Sequence, residues 1–298
     1  MKSAGRQGCK MKTLVAVITG ILLSGCGEAD RPTVNAADDT QALIDATAEE
    51  RRDDSPALSP PVEPETSAEV LLQELAYGEG EDSNLVGFLA MPSDVTEPLP
   101  AVLVIHEWWG LDEDIRATTE RLAGEGFIVL AVDLYGGAVA ESPTHAQQLM
   151  SELLSVPDKA LNNIRQAYQY LDRYALAPAV GTIGWALGGG LSLQAALALG
   201  DELDAMVMYY GQVVTDAEEL AGLNVPMLGL FGADDEGIQL SEVEEFRRVL
   251  DELGKRASIH IYPDVGPVFA NPKGETYDAD AAEDAWARTV EFLNANLN

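Results

Sequence analysis

The chain has 298 residues, of which 50 are acidic and 18 basic, and its formal net charge is −32. So large an acidic excess argues against nucleic acid or an anionic membrane surface as a partner, because both attract clustered lysine and arginine. The length leaves room for one large domain with additional segments.

The first 25 residues are organised like an export signal. Basic residues precede the apolar run Thr13–Leu23, which is too short to span a bilayer comfortably and ends in Leu23-Ser24-Gly25-Cys26. This ending resembles the lipobox of bacterial lipoproteins, which implies that residues 1–25 are removed and that Cys26 carries the lipid. The protein would then be anchored on the periplasmic side of the cell envelope, and Gly27 favours the outer membrane. A plain signal peptide or an uncleaved anchor is the alternative.

Residues 26–68 are rich in Ala, Asp, Glu, Pro, Ser and Thr and hold few large apolar residues. A segment of this composition cannot bury enough surface to offset the entropy of the chain. It predicts an acidic, disordered tether, in which residues 41–52 form at most a transient helix.

From residue 69 to the end, apolar segments alternate with amphipathic ones. This alternation predicts an α/β domain with a doubly wound, mostly parallel sheet of about eight strands, an antiparallel start and helices on both faces. The predicted strands are Val70–Ala76, Leu85–Ala90, Ala101–Ile105, Ile128–Val132, Val180–Ile183, Ala205–Tyr210, Met227–Phe231 and Ser258–Tyr262. The predicted helices are Asp112–Gly124, Ser142–Leu154, Lys159–Tyr174, Leu191–Leu199, Leu240–Leu253 and Asp278–Leu297.

The run Gly184-Trp185-Ala186-Leu187-Gly188 lies between a predicted strand and a predicted helix. A glycine two positions on either side of a central residue is typical of a nucleophile elbow, where a sharp turn exposes the central side chain. Here the central residue is Ala186, which carries no nucleophilic atom.

With this elbow, six segments in the same order and spacing resemble the dienelactone hydrolase family of α/β-hydrolases. The resemblance implies an α/β-hydrolase fold for residues 69–298 and a small-molecule ester or lactone-like ligand, with no cofactor. No metal site is expected, because no Cys/His spacing is typical of one. The supporting segments are Ala101–Leu111, Val132–Gly136, the elbow, Tyr209–Gly211, Leu230–Asp235 and Tyr262–Ala270.

In that family a Cys or Ser at the elbow attacks the carbonyl carbon, a His acts as the base, and an Asp orients the His. Position by position, the resemblance places Ala186 at the nucleophile position and Asp235 at the acid position. The family's Gly-His-x-Phe segment corresponds to Gly266–Phe269, so the base position is Pro267. Two of the three positions therefore lack the required chemistry.

The resemblance also implies a set of neighbouring site residues. The backbone N–H groups of Leu187 and Trp108 would stabilise an oxyanion, and Glu107 matches a glutamate that helps to activate the nucleophile. Glu107 could instead be an ordinary carboxylate beside a helix.

His106, Trp109, Trp185 and Tyr135 are the predicted pocket residues. Together with Trp108, residues Trp109 and Trp185 either line an aromatic pocket or pack in the core. His106 is either a spare base or a hydrogen-bonded structural residue.

Three functions remain open from the sequence. The first is a hydrolase-fold lipoprotein that is catalytically silent. The second is an active ester or lactone hydrolase in which Glu107 or His106 activates water. The third is a non-enzymatic envelope protein that contacts other proteins through the tryptophan-rich surface at the opening of the pocket.

Overall fold

The structure, a computed structural model, describes residues 36–54, 69–82, 84–156, 158–272 and 274–298. Residues 36–298 form one compact unit. The predicted signal peptide and Cys26 lie outside the described residues, as do residues 27–35 and 55–68 of the predicted tether. Within the described ranges, no helix is both long and apolar enough to cross a membrane.

Eight strands form one sheet in the order β1-β2-β4-β3-β5-β6-β7-β8. The pairs β1–β2 and β2–β4 are antiparallel, and every other neighbouring pair is parallel, which confirms the predicted sheet. The strands are β1 Val70–Ala76, β2 Val86–Pro92, β3 Ala101–Ile105, β4 Ile128–Val132, β5 Val180–Trp185, β6 Ala205–Tyr209, β7 Met227–Gly232 and β8 Ala257–Tyr262.

Helices cover both faces of the sheet. Along β3, Leu103 and Ile105 pack in the core under α4, α5 and α7, whereas Val102 and Val104 pack in the core under α2 and α8. Both faces of a central strand are therefore buried, which explains its uninterrupted apolar sequence. The helices are α1 Ala36–Glu50, α2 Glu113–Gly124, α3 Pro143–Leu154, α4 Lys159–Arg173, α5 Leu187–Leu199, α6 Ala217–Leu220, α7 Leu240–Glu252 and α8 Ala279–Leu297.

The start of α5 differs from the sequence-based expectation. The helix begins at Leu187 rather than Leu191, so three consecutive glycines belong to its first turn. Glycine is a poor helix former, but close packing requires it here. A Cβ atom at Gly188 would lie 2.1 Å from the carbonyl oxygen of Ile105, and one at Gly189 would lie 2.8 Å from that of Tyr209.

Residues 36–54 also differ from the expectation of a disordered tether. They form α1 and a following turn, and α1 packs against α3. Ile44 is 4% exposed and Arg51 is 5% exposed, so the compact unit begins well before residue 69. The prediction was wrong for these residues because composition averages over a segment and gives little weight to one buried isoleucine and one buried arginine.

Candidate functional site

The elbow has the geometry that its sequence predicts. Ala186 joins β5 to α5 with φ 49° and ψ −112°, a conformation that residues with a side chain rarely adopt. Its N–H donates to the carbonyl oxygen of Tyr209 at 3.0 Å, and its carbonyl oxygen accepts from the N–H of Gly190 at 3.1 Å. Backbone strain of this kind costs roughly 1–3 kcal/mol and persists where the surrounding structure imposes it.

The elbow lies directly against the loop that follows β3. The Cα of Gly188 approaches the carbonyl groups of Ile105 and His106 so closely that no side chain would fit. Leu187 occupies the first position of α5, where a backbone N–H has no acceptor within the helix. Leu187 is thus brought close to the loop that carries Trp108. The oxyanion role of these two N–H groups stays a prediction.

The predicted acid and base positions lie on adjoining loops. The N–H of Asp234, after β7, donates to the carbonyl oxygen of Val265, after β8, at 2.9 Å. Asp235 is 7% exposed, and its Oδ1 accepts from the N–H groups of Gly237 and Ile238, both at 2.9 Å. Pro267 offers no side-chain acid or base.

Glu107 is buried and forms an ion pair with a residue that the sequence does not predict at the site. It is 7% exposed, and its Oε2 lies 3.4 Å from Nη1 of Arg51. The guanidinium carbon of Arg51 lies 5.7 Å from the ring centroid of Trp108. The carboxylate of Glu107 therefore has a cationic neighbour from the segment that precedes the sheet.

Burial controls the protonation of Glu107. Loss of solvent raises the pKa of its carboxyl group from the ordinary 4.5 to about 7, against the opposing effect of Arg51. The charges of Asp112, Asp54 and Asp114 raise this pKa further. Burial also raises the pKa of the Tyr210 hydroxyl, and the nearby charge of Glu107 adds to that shift.

A cavity of about 60 Å³ adjoins Glu107, which is enough for a few water molecules. Trp185 and Tyr210 line it from the ends of β5 and β6, so it lies beside the elbow. Predominantly polar and aromatic groups surround it. The lining residues are Glu107, Trp109, Gly110, Asp112, Asp114, Ile115, Thr118, Trp185, Tyr210, Ala270, Asn271 and Pro272.

His106 is a structural residue. Its Nε2 accepts the N–H of Leu134 at 3.1 Å, and its Nδ1 lies 2.6 Å from the carbonyl oxygen of Glu107. Because Nε2 is an acceptor, the proton of the neutral ring is assigned to Nδ1, which donates to that carbonyl. The ring is fully buried, which lowers its pKa. Neither nitrogen is left to activate water.

The other two histidines of the chain lie away from the elbow. His145 belongs to the first turn of α3 and accepts from the N–H of Glu141 at 3.3 Å. His260 lies on β8, with Nε2 3.2 Å from the hydroxyl of Ser258. Neither lies in the loop that contains Pro267. Among the described residues, no group of three or more His, Cys, Asp or Glu side chains is arranged to hold a metal ion.

The predicted aromatic pocket residues divide into two groups. Trp109 and Trp185 line the cavity. Trp108 is 1% exposed and packs in a small cluster with Trp109 and two residues of α3, Ala146 and Leu149. Tyr135 packs against this cluster, with its ring centroid 4.8 Å from that of His106.

Sequence reasoning missed two residues at the site, Arg51 and Tyr210. Tyr210 belongs to a motif that supports the family resemblance, and its place at the end of β6 gives a signal for a site position. Arg51 has no comparable signal. Its contact with Glu107 joins residues 56 positions apart, and Arg51 lies in a segment whose composition predicts disorder.

Comparison with known proteins agrees with this fold. The family model described as "Dienelactone hydrolase family" matches residues 85–297. "Protein usf" of Aquifex pyrophilus is 33% identical over 205 residues, which cover 66% of this chain and 89% of that protein. A protein of Aquifex aeolicus named "Putative carboxymethylenebutenolidase" is 30% identical over 218 residues, which cover 71% of this chain and 93% of that protein.

The solved structures include a close match in fold. The crystal structure of a protein from Klebsiella pneumoniae, described as "Putative Dienelactone Hydrolase", is 28% identical and has a TM-score of 0.68. It covers 76% of this chain and 99% of its own length. The family consists of carboxylic ester and lactone hydrolases, and its match extends here from β2 through α8. The chain therefore belongs to the dienelactone hydrolase family of α/β-hydrolases.

Proposed function

We propose that this domain is a dienelactone-hydrolase-family scaffold that is catalytically silent towards carboxylic esters and lactones and retains the cavity for ligand binding. The observation that carries this proposal is Ala186 at the strained centre of the elbow. The turn positions a side chain for attack on a carbonyl carbon, and a methyl group has no electron pair with which to attack.

The base position supports the same proposal independently. A cysteine or serine nucleophile needs a base to take its proton, and Pro267 cannot take one. Only backbone N–H groups and ligand binding would remain to accelerate the reaction. In serine proteases that lack the triad, these two effects still accelerate the reaction by roughly 10³–10⁴-fold over the reaction in water. Most ester assays would record such a protein as inactive.

The export signal supports a lipid-anchored envelope protein, with Cys26 as the lipidated residue. Its support comes from the sequence Leu23-Ser24-Gly25-Cys26 and the preceding apolar run. In this proposal a small ester or lactone-like ligand reaches the cavity on the periplasmic side of the envelope.

An esterase assay tests the catalytic proposal. We expect background hydrolysis of p-nitrophenyl acetate by the unaltered protein and nearly background by Ala186→Cys, because the thiol still lacks a base. The double variant Ala186→Cys/Pro267→His restores nucleophile and base, and we expect at least a 10²-fold increase over Ala186→Cys. The variant Pro267→His alone is the matched control and is expected to stay at background.

A second function, water activation by Glu107, is favoured by one observation. The carboxyl group adjoins the cavity and has a pKa of about 7, which suits a general base near neutral pH. Clear hydrolysis by the unaltered protein, abolished by Glu107→Gln, would support this function and contradict the silent scaffold.

A further inference from the structure

Arg51 places a buried guanidinium group against Glu107, which lines the cavity. We propose that Glu107 and Trp108 form a binding site for an organic cation, a guanidinium or alkylammonium group, which the chain's own Arg51 fills in this structure. The inference goes beyond the proposed function, since it adds an organic cation at Glu107 to the ester or lactone-like ligand proposed for the cavity.

The first argument is the complementarity of the site to a cation. Both charged side chains are nearly inaccessible to solvent, with 6% of Arg51 and 9% of Glu107 exposed. A carboxylate on one side and an indole ring on another are groups that attract a flat organic cation. The three aspartates that act on Glu107, namely Asp54, Asp112 and Asp114, add negative potential.

The second argument is that Arg51 fits this site imperfectly. Its Nη1–Oε2 distance of 3.4 Å is long for a charge-assisted hydrogen bond, which is typically 2.7–2.9 Å. Its Nε is buried and has no hydrogen-bond partner among the described residues. A ligand that is free to orient itself could make the shorter, two-pronged contact that Arg51 does not make.

The third argument is that little holds Arg51 in place. Of the α1 side chains that the structure describes, Ile44 is the buried apolar one. Burial of this isoleucine contributes roughly 1.5–3 kcal/mol. A groove of about 340 Å³, lined by Asp45 and Glu49 on one side and Pro143 and Gln147 on the other, further reduces the packing of α1 against α3. Among the described residues, a ligand at Glu107 would therefore compete chiefly with the contacts of Arg51 itself.

Because Arg51 is part of the same chain as the site, it competes with any free cation for Glu107. A tethered group has an effective concentration of the order of millimolar, so a free cation must exceed that concentration to displace Arg51. The unaltered protein should hence bind a small guanidinium compound weakly. Removal of the Arg51 side chain should uncover the site.

Binding should strengthen as pH rises, because the cation requires Glu107 to be ionised. The charged and titratable groups facing Glu107 come from three elements: the end of α1, the start of α2 and the end of β6. They are Arg51, Asp54, Asp112, Asp114 and Tyr210.

Calorimetric titration with n-propylguanidinium chloride tests the proposal on the full chain at pH 8 and fixed ionic strength. We expect Arg51→Ala to bind at least tenfold more tightly than the unaltered protein. Arg52→Ala is the matched control, because Arg52 is exposed and pairs with Glu49 instead. Its binding should equal that of the unaltered protein. The double variant Arg51→Ala/Glu107→Gln should lose binding, and the uncharged n-propylurea should not bind any of the four proteins.

Equal binding by Arg51→Ala and Arg52→Ala would overturn the cation site, as would undiminished binding by the double variant. If Arg51→Ala does not fold, Arg51→Gln keeps the length of the side chain without its charge, and the same comparison applies. Ester hydrolysis by the unaltered protein would contradict the silent scaffold but leave these titrations unaffected. Conversely, a failed titration would leave the catalytic proposal intact.

Discussion

Glu107 is an ionisable group whose environment works against its charge. It has lost most of its contact with water, and a single arginine at 3.4 Å offsets part of that loss. Desolvation of a buried ion pair frequently exceeds the attraction between its members. The pair is therefore expected to contribute little to the stability of the fold.

The pKa of Glu107 predicts a specific pH dependence of stability. Because the folded-state pKa of about 7 exceeds the ordinary value of 4.5, the folded protein holds this proton more tightly than the unfolded chain. The resulting stabilisation is fully present below about pH 4.5 and is lost as pH rises through about 7. At roughly 1.4 kcal/mol for each pH unit, the loss is of the order of 3 kcal/mol.

The measurement is the free energy of unfolding of the unaltered protein minus that of Glu107→Gln, from pH 4 to pH 9. Subtraction removes the titration of the many surface carboxylates that both proteins share. We expect the difference to fall across this range and to level off above about pH 8. A difference that does not change with pH would contradict a raised pKa for Glu107.

At the scale of elements, the junction of β5 and α5 shows how closely two backbones approach in this fold. Glycine spacing alone predicts the elbow, but it does not predict that the glycines continue into the helix. Periodic apolar residues are the usual sign of a helix, and Gly188, Gly189 and Gly190 supply none. Tertiary contacts explain two of these glycines, because the backbones of Ile105 and Tyr209 leave no room for a Cβ at Gly188 or Gly189.

Two substitutions in that turn should have opposite effects on stability. A Cβ at Gly188 would meet the backbone of Ile105 at 2.1 Å, so Gly188→Ala should destabilise the protein by at least 3 kcal/mol, an order-of-magnitude expectation for a forced backbone shift. At Gly190 the nearest atom lies 3.5 Å away, and alanine favours a helix over glycine by roughly 0.5–1 kcal/mol. Gly190→Ala should therefore stabilise it slightly. Urea unfolding of both variants checks this prediction, and equal midpoints would contradict it.

Over the whole molecule, an excess of negative charge opposes the compact state. The net charge of −32 places like charges close together on the surface of the folded chain. Salt shortens the distance over which they interact, from about 30 Å at 0.01 M to about 3 Å at 1 M. Screening should therefore stabilise the fold.

We expect the melting temperature to rise between 0.01 M and 1 M NaCl, by at least about 2–4 °C, which corresponds to roughly 1 kcal/mol for a domain of this size. Sucrose at matched osmolality is the control for effects other than screening. A further rise above 1 M, where screening is nearly complete, would indicate adaptation to a saline habitat. No rise at all would show that self-repulsion is unimportant.

The sequence predicts the sheet well, because the central strands are short apolar runs. It misses α6, since the four residues Ala217–Leu220 are too few to show a helical period. Motif spacing assigns Ala186, Asp235 and Pro267 to the triad positions, and the structure has these residues after β5, β7 and β8. Their triad assignment stays a prediction. Arg51 could not be predicted, because its contact depends on how a distant, polar segment docks and no local pattern encodes that docking.

Arg51 precedes the region that this chain shares with its family, which begins at residue 85. The cation that pairs with Glu107 therefore comes from outside the shared region, whereas the fold and the carboxylates of the cavity belong to it. Consider two relatives with the same hydrolase domain but different preceding segments. In a relative with an arginine like Arg51, the carboxylate at the position of Glu107 is neutralised, whereas in a relative without one it is open to a ligand. Exchange of the segments that precede the shared domain would then change ligand preference. The sheet, the elbow and every residue of the shared domain would stay the same.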